Sequence, residues 1–197
     1  MPAPAKLLLA SSNPGKLREY QALAEGHPVE VSLFPRFDSV PQFVERAPTF
    51  AENAAGKALH YSAFTADAVL ADDSGLVVPA LGGAPGPRSA RYAGVRATDA
   101  DRIRKLLGEL RAVRGKDRAA RFVCVIAVAQ RGRLLEVISD CVEGELIDSP
   151  RGTGGFGYDP IFYYAPLGKT FAELLPREKN DLSHRGRVFR KLLASFR

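Results

Sequence analysis

A chain of 197 residues is long enough to bury a proper core in one domain, or in two closely packed lobes. Hydrophobic residues make up 46% and charged residues 25%, close to the average for globular proteins, which sets aside disorder and fibrous repeats. A net charge of +6 fits an anionic partner, nucleic acid or a phosphorylated small molecule, and equally fits a solvated basic surface.

The opening Met1-Pro2-Ala3-Pro4 lacks the charged start and apolar stretch of a signal peptide, and no apolar run approaches the ~18 residues that span a bilayer. A cytoplasmic protein without a membrane partner is therefore expected. Residues 7–10 read as a strand, Asn13-Pro14-Gly15 as turn chemistry, and Leu17, Tyr20, Leu23 and Ala24 recur at helical spacing. Residues 29–34 supply a second strand and residues 35–44 an irregular loop. Thr49 and Glu52 form a capping-box pattern that opens a helix running to about Thr65. Residues 68–71 form a brief buried strand that runs into Asp72-Asp73-Ser74-Gly75, then Leu76-Val77-Val78, then a Gly/Pro-rich loop to Gly94.

Residues 98–113 form an amphipathic helix with Ile103, Leu106, Leu107, Leu110 and Val113 on one face, a pattern of core packing. Residues 122–129, 134–139 and 141–147 read as consecutive strands, the first two joined by Arg131-Gly132-Arg133 as a hairpin. Cys124 and Cys141 fall inside these strands and read as buried thiols, since two cysteines make neither a disulfide framework nor a zinc site. A glycine-rich segment, residues 152–157, leads into an aromatic strand at 161–164, a short helix from Thr170 and a last helix from near Ser183 that turns Val188, Leu192, Leu193 and Phe196 inward. The alternation predicts a mixed α/β fold with a central sheet and helices on both faces, in one domain over residues 1–197 without a separable linker.

Four places carry chemistry. Ser11-Ser12-Asn13-Pro14-Gly15-Lys16 joins a strand end to a helix start, where unpaired backbone N–H groups and the helix dipole attract phosphate. Lys16 in the first helical turn opposes that dipole, so an anion placed between the two makes sense of it. The spacing is not that of a Walker loop. Adjacent carboxylates at Asp72 and Asp73, at the end of a buried strand, call for a cation or compensating hydrogen bonds. Mg²⁺, which takes one or two carboxylates plus waters and phosphates, suits them, and one carboxylate can deprotonate an attacking water. The alternative is an Asp-Ser-Gly turn with one aspartate capping an amide. Gly152-Thr153-Gly154-Gly155-Phe156-Gly157 lets backbone approach a ligand, with Phe156 able to stack on a base or to sit in the core. Ser183-His184-Arg185, preceded by Lys179, puts basic donors at another helix start. His27 and His60 have no metal-like companions.

In order, "SSNPGKLREYQAL", "TFAENAAGKA", "ADDSGL", "LGGAPGPRSARYAG", "GTGGFGYDPIF" and "SHRG" resemble the inosine triphosphate pyrophosphatase family, the dITP/XTP pyrophosphatases, over nearly the whole chain. The resemblance implies an elongated two-lobed α/β fold with the active site in the cleft between lobes, a homodimer, and hydrolysis of ITP, dITP or XTP to the monophosphate and pyrophosphate. It implies Asp73 as general base and magnesium ligand, and Ser74 touching the substrate. Ser11, Ser12, Asn13, Pro14, Gly15, Lys16 and Lys57 would hold the triphosphate. Phe156 would stack on the purine, with Gly157, Tyr158, Asp159, Lys179, His184 and Arg185 around the base and its 6-oxo group. Glu45 would be a second metal ligand, in a segment, Glu45-Arg46-Ala47-Pro48, that departs from the glycine-containing stretch common in the family. A pyrophosphatase for another base, such as a modified pyrimidine, and a basic nucleic-acid-binding module without catalysis are the competing readings.

Overall fold

Alternating strands and helices assemble around one seven-stranded sheet in the computed structural model, which describes residues 6–35, 37–113 and 115–196. In chain order the elements are β1 (Lys6–Leu9), α1 (Pro14–Ala24), β2 (Glu30–Leu33), α2 (Phe50–Ser62), β3 (Ala68–Val77), α3 (Asp99–Glu109), β4 (Ala119–Gln130), β5 (Arg133–Leu146), β6 (Phe162–Tyr164), β7 (Lys169–Thr170), α4 (Pro176–Leu182) and α5 (His184–Ser195). The strand order is β2-β1-β3-β4-β5-β6-β7. Both β2 and β3 run parallel to β1, whereas β6 runs antiparallel to β5 and to β7, so the sheet is mixed as expected. The opening Met1-Pro2-Ala3-Pro4 lies outside the described residues. No described helix is long and apolar enough to cross a membrane.

The chain divides into two units, and β3, β4 and β5 each contribute residues to both. The first unit holds the described residues of Met1–Asp73, Cys124–Asp140 and Arg185–Arg197. On one face of its strands Leu7, Leu9, Leu70, Ile126 and Val128 pack with Tyr20 of α1 and with Val188, Phe189 and Leu192 of α5. The alternate residues Leu8, Val69, Ala71, Val125 and Ala127 pack with Ala54, Ala58 and Tyr61 of α2. Strand side chains alternate between faces, so burial on both faces requires the near-continuous apolar runs seen at 7–10 and 68–71. The second unit holds Ser74–Val123 and Cys141–His184. Its core joins Leu76, Val78, Phe122, Val142 and Phe162 to Ile103, Leu106 and Leu110 of the α3 segment and to Phe171. Each fully buried aliphatic or aromatic side chain in these cores stabilises by about 1.5–3 kcal/mol.

Several expectations are corrected. The segments expected as strands 134–139 and 141–147 are one continuous strand, β5. Ser139 and Asp140 look like turn formers, but Asp140 is satisfied within the strand by Lys191 of α5, 2.9 Å away. Residues 68–71 and 76–77 likewise belong to one ten-residue strand, β3, which runs straight through Asp72-Asp73-Ser74-Gly75 and ends one residue before the expected Val78. Gly75 is not there to turn the chain. A side chain on it would meet the Ser89 hydroxyl and the Gly86 carbonyl, and that hydroxyl accepts from Leu76 N at 2.9 Å and donates to Gly86 O at 2.6 Å. Helix α2 stops at Ser62, three residues before Thr65, and α3 passes into a 3-10 turn at Leu110–Ala112. The helix expected from Thr170 is a single 3-10 turn, Phe171–Glu173, with Phe171 buried. Helix α4 has no counterpart in the sequence reading.

Candidate active site

At the start of α1, Asn13 is the N-cap: its side chain accepts from Gly15 N at 2.8 Å and Lys16 N at 3.4 Å, and Pro14 occupies the first turn. Asn13-Pro14-Gly15 is thus a helix cap rather than a separate turn. Ser11 Oγ accepts from Asn13 N at 3.1 Å, and Ser12 is exposed. The anion demanded by Lys16 is found within the chain, because its Nζ lies 2.9 Å from Asp72 Oδ1.

Asp72 and Asp73 are neighbours on a strand, so their side chains leave it on opposite faces and meet different surroundings. Asp72 is fully buried. Burial alone would raise its pKa, but Lys16, Arg185 and Lys57 together hold the carboxyl well below the usual range. Arg185, itself 2% exposed, has its Nε 3.5 Å from Asp72 Oδ2 and a second ion pair with Glu19 of α1. Burial opposes the Arg185 charge, and the two carboxylates more than offset it, keeping the guanidinium firmly protonated.

Asp73 has the opposite fate. Burial, then the negative charge of Glu45, push its pKa up to about 6, against the lowering effect of the Asn53 hydrogen bond and of Lys57 and Lys16. The Asn53 side chain donates to Asp73 Oδ2 at 2.9 Å. Lys57, on the same helix, forms an ion pair with Glu45 and donates to the Asp72 carbonyl at 2.7 Å. Burial lowers the Lys57 pKa, while Glu45 and Asp72 raise it by more. Lys16, Lys57 and Arg185 thus interleave with Glu19, Glu45, Asp72 and Asp73 in the first unit.

Among the described residues no three His, Cys, Asp or Glu side chains come together as a metal cage. The donor set suits Mg²⁺ all the same, because that ion takes one or two hard carboxylates and completes its shell with water and phosphate. Glu45 and Asp73 supply such a pair, and burial first, then the Glu45 charge, disfavour an ionised Asp73 that has no cation beside it. Asp72, already neutralised by basic groups, does not need one. The Asp-Ser-Gly turn alternative is set aside by the strand.

In the second unit, Gly155 (φ +69°) lets the backbone fold back on Asp159, whose carboxylate occupies the space a side chain would take. Asp159 Oδ2 accepts from Phe156 N at 2.8 Å and from Lys179 Nζ at 2.6 Å. Lys179 Nζ lies 4.6 Å from the centre of the Phe156 ring, and that ring is half-buried rather than part of the core. Gly157 N donates to Asp99 Oδ2 at 2.7 Å. Tyr158 is buried, and its hydroxyl donates to Ser89 O at 3.0 Å. His184 is buried with its ring stacked on Phe122, 4.9 Å between centroids. Ser74 is half-buried on β3.

The two clusters therefore unite most of the residues singled out from sequence. Asn53, Glu19 and Asp99 are additions. Asn53 and Glu19 were concealed inside ordinary helical patterns, although a buried asparagine on α2 is legible as an unusual residue once the helix face is known. Cys124 is buried, Cys141 half-buried, and both are free thiols. His60 serves a loop, with Nε2 2.6 Å from Pro41 O.

The α/β fold thus carries a basic-acidic cluster in its first unit and an aromatic-lysine-aspartate cluster in its second. Comparison with known proteins places it further. A model of the Ham1 family matches residues 7–195, and the chain belongs to that family. It is 49% identical over 187 residues to the dITP/XTP pyrophosphatase of Geobacillus kaustophilus, covering 95% of this chain and 92% of that one. Among solved structures, a HAM1 protein from Coxiella burnetii aligns with a TM-score of 0.87 at 45% identity over 96% of each chain. The Ham1 protein of Staphylococcus aureus aligns at 0.84 and 38% identity, again over 96% of each.

Proposed function

We propose that this chain hydrolyses deaminated purine nucleoside triphosphates, dITP, ITP and XTP, to the nucleoside monophosphate and pyrophosphate, removing non-standard purines from the nucleotide pool. The observation that carries this reading is the division of labour between two adjacent aspartates. Asp72 is buried against Lys16 and Arg185, whereas Asp73 leaves the other face of β3, where Asn53 donates to one oxygen and Glu45 is the neighbouring charge. A carboxylate that is not committed to a basic side chain is available to take a proton from water.

Asp73 takes the proton of a water whose oxygen adds to the α-phosphorus, as the bond to the bridging oxygen of the departing pyrophosphate breaks. Ser11 to Lys16 and Lys57 contact the triphosphate, with Ser74 alongside. Asp73 and Glu45 are the residues that would hold Mg²⁺, which when bound neutralises charge on the phosphate oxygens.

Phe156 stacks on the purine, and Gly157, Tyr158 and Asp159 shape the loop beneath it. Lys179 and His184 sense the 6-oxo group. Adenine presents an amino group there and would leave such donors unpaired, a mismatch worth about 1–3 kcal/mol per buried group. Arg185, clasped by Glu19 and Asp72, is assigned to holding Asp72 in place. On the same reading the substrate is a free nucleotide, with no nucleic-acid or membrane partner, and the protein acts as a cytoplasmic homodimer.

The test is pyrophosphate release from ITP, XTP, dITP, ATP, GTP and CTP at equal concentration, with and without Mg²⁺. Release confined to the first three and dependent on metal is expected. Indifference to the base would remove the purine-reading role of Lys179 and His184, and silence on all six would favour a binding module.

A further inference from the structure

We infer that Asn53 is the positioning residue that joins the Glu45 segment to Asp73, an inference that rests on reading those two carboxylates as the metal-holding pair. Residues 41–47 run as a strap along α2 and are tied to it at successive points. His60 meets the Pro41 carbonyl, and the Tyr61 hydroxyl accepts from Phe43 N and donates to Gln42 Oε1, both at 3.3 Å. The Phe43 ring lies against Gly56, where a side chain would strike it at 2.7 Å. Lys57 then takes Glu45, and Asn53 takes Ala47.

Asn53 is the tie that reaches further. It is fully buried, accepts from Ala47 N at 3.0 Å, donates to Ala47 O at 3.3 Å and donates to Asp73 Oδ2 at 2.9 Å. One planar amide thereby fixes both backbone groups of the residue two after Glu45 and one oxygen of Asp73. A carboxylate pinned through one oxygen directs the other along one line, and a pinned strap holds Glu45 at one distance from it. Lys57, one turn along the same helix face, makes the parallel link from the Glu45 side chain to the Asp72 carbonyl. Asn53 touches no reacting atom in this account. It acts through the two carboxylates, as the partners behind metal ligands do.

The experiment compares Asn53→Ala and Asn53→Ser with Tyr61→Phe, which loosens the strap at its far end. It reads Mn²⁺ binding by electron paramagnetic resonance without nucleotide, and kcat and KM for ITP with Mg²⁺. For the Asn53 variants we expect Mn²⁺ affinity and kcat each to fall by roughly 10–100-fold, with KM within about threefold. Tyr61→Phe should leave all three within about twofold even if it lowers the melting temperature as much. Should the alanine variant not fold, the serine variant, which keeps a small polar group in the buried site, decides. Asn53 variants that bind Mn²⁺ and turn over like wild type would overturn the positioning role, and so would a Tyr61→Phe protein impaired to the same degree. Wild-type protein that neither binds Mn²⁺ nor turns over would remove the metal reading itself, and the positioning role with it.

Discussion

Replacing Asp73 by asparagine should make the metal-free protein more stable while abolishing its turnover. Asp73 is 6% exposed, and its pKa rises from an ordinary 3.8 to about 6. The folded state therefore disfavours the ionised form by about 2 units, or about 3 kcal/mol at 1.36 kcal/mol per unit. Because the folded pKa is the raised one, this penalty is in full force above about pH 6. It shrinks as the pH falls through that value and is gone below about 3.8. Asparagine carries no charge at any pH and keeps the side-chain shape, so it escapes the penalty. In EDTA at pH 7.5 the variant should unfold with up to about 3 kcal/mol more free energy, a rise in Tm of roughly 6–12 °C for a chain of this size. At pH 5 the linkage leaves about half of that advantage. Thermal melts of both proteins at the two pH values measure it, and pyrophosphate release with Mg²⁺ measures the loss of activity. An asparagine variant that melts at or below wild type at pH 7.5, or an advantage unchanged at pH 5, would refute the argument.

Arg185→Ala should destabilise by about 3–5 kcal/mol, because it leaves Asp72 and Glu19 without the buried cation they share. Urea unfolding reads this as a fall in midpoint at constant slope, and an unchanged midpoint would mean the ion pairs do not hold the site. Gly155→Ala forces a side chain into the Asp159 carboxylate at a φ of +69°, displacing the partner of Lys179 in the base-reading cluster. KM for ITP should rise about tenfold, equivalent to about 1.4 kcal/mol, with kcat little changed since Asp73 belongs to the other unit. A fall in kcat at constant KM would contradict that division.

Hydrophobic pattern made the elements of the first unit legible, because strands buried on both faces and helices with one apolar stripe have distinct periods. The Thr49 cap set the start of α2 within a residue for a local reason: its hydroxyl serves the Glu52 amide three residues on. Failures arose where residues that usually end a strand were satisfied by distant partners. Asp72, Asp73 and Asp140 find Lys16, Asn53 and Lys191, pairings that no local window contains. Helix α4 was missed because seven largely polar residues show no periodicity, although Pro176 at its first turn and Glu178, which accepts from Leu175 N at 2.8 Å, were available signs. Arg185 sits at a helix start in the sequence, but the two carboxylates that enclose it come from distant parts of the chain that no local window contains.

The two aspartates of β3 are the same residue in adjacent positions, yet they cannot be traded. A strand turns over at every residue, so inserting or deleting a single amino acid between Ala68 and Asp72 would send each carboxylate out of the opposite face of β3. An insertion would carry Asp72 to the place beside Glu45 that Asp73 now holds, and a deletion would carry Asp73 to the place against Lys16 and Arg185 that Asp72 now holds. Length changes in the loop after β2 leave this parity untouched. The protein's tolerance for indels should therefore be uneven along the chain, with a few residues upstream of the site where counting modulo two matters more than which apolar side chain is present.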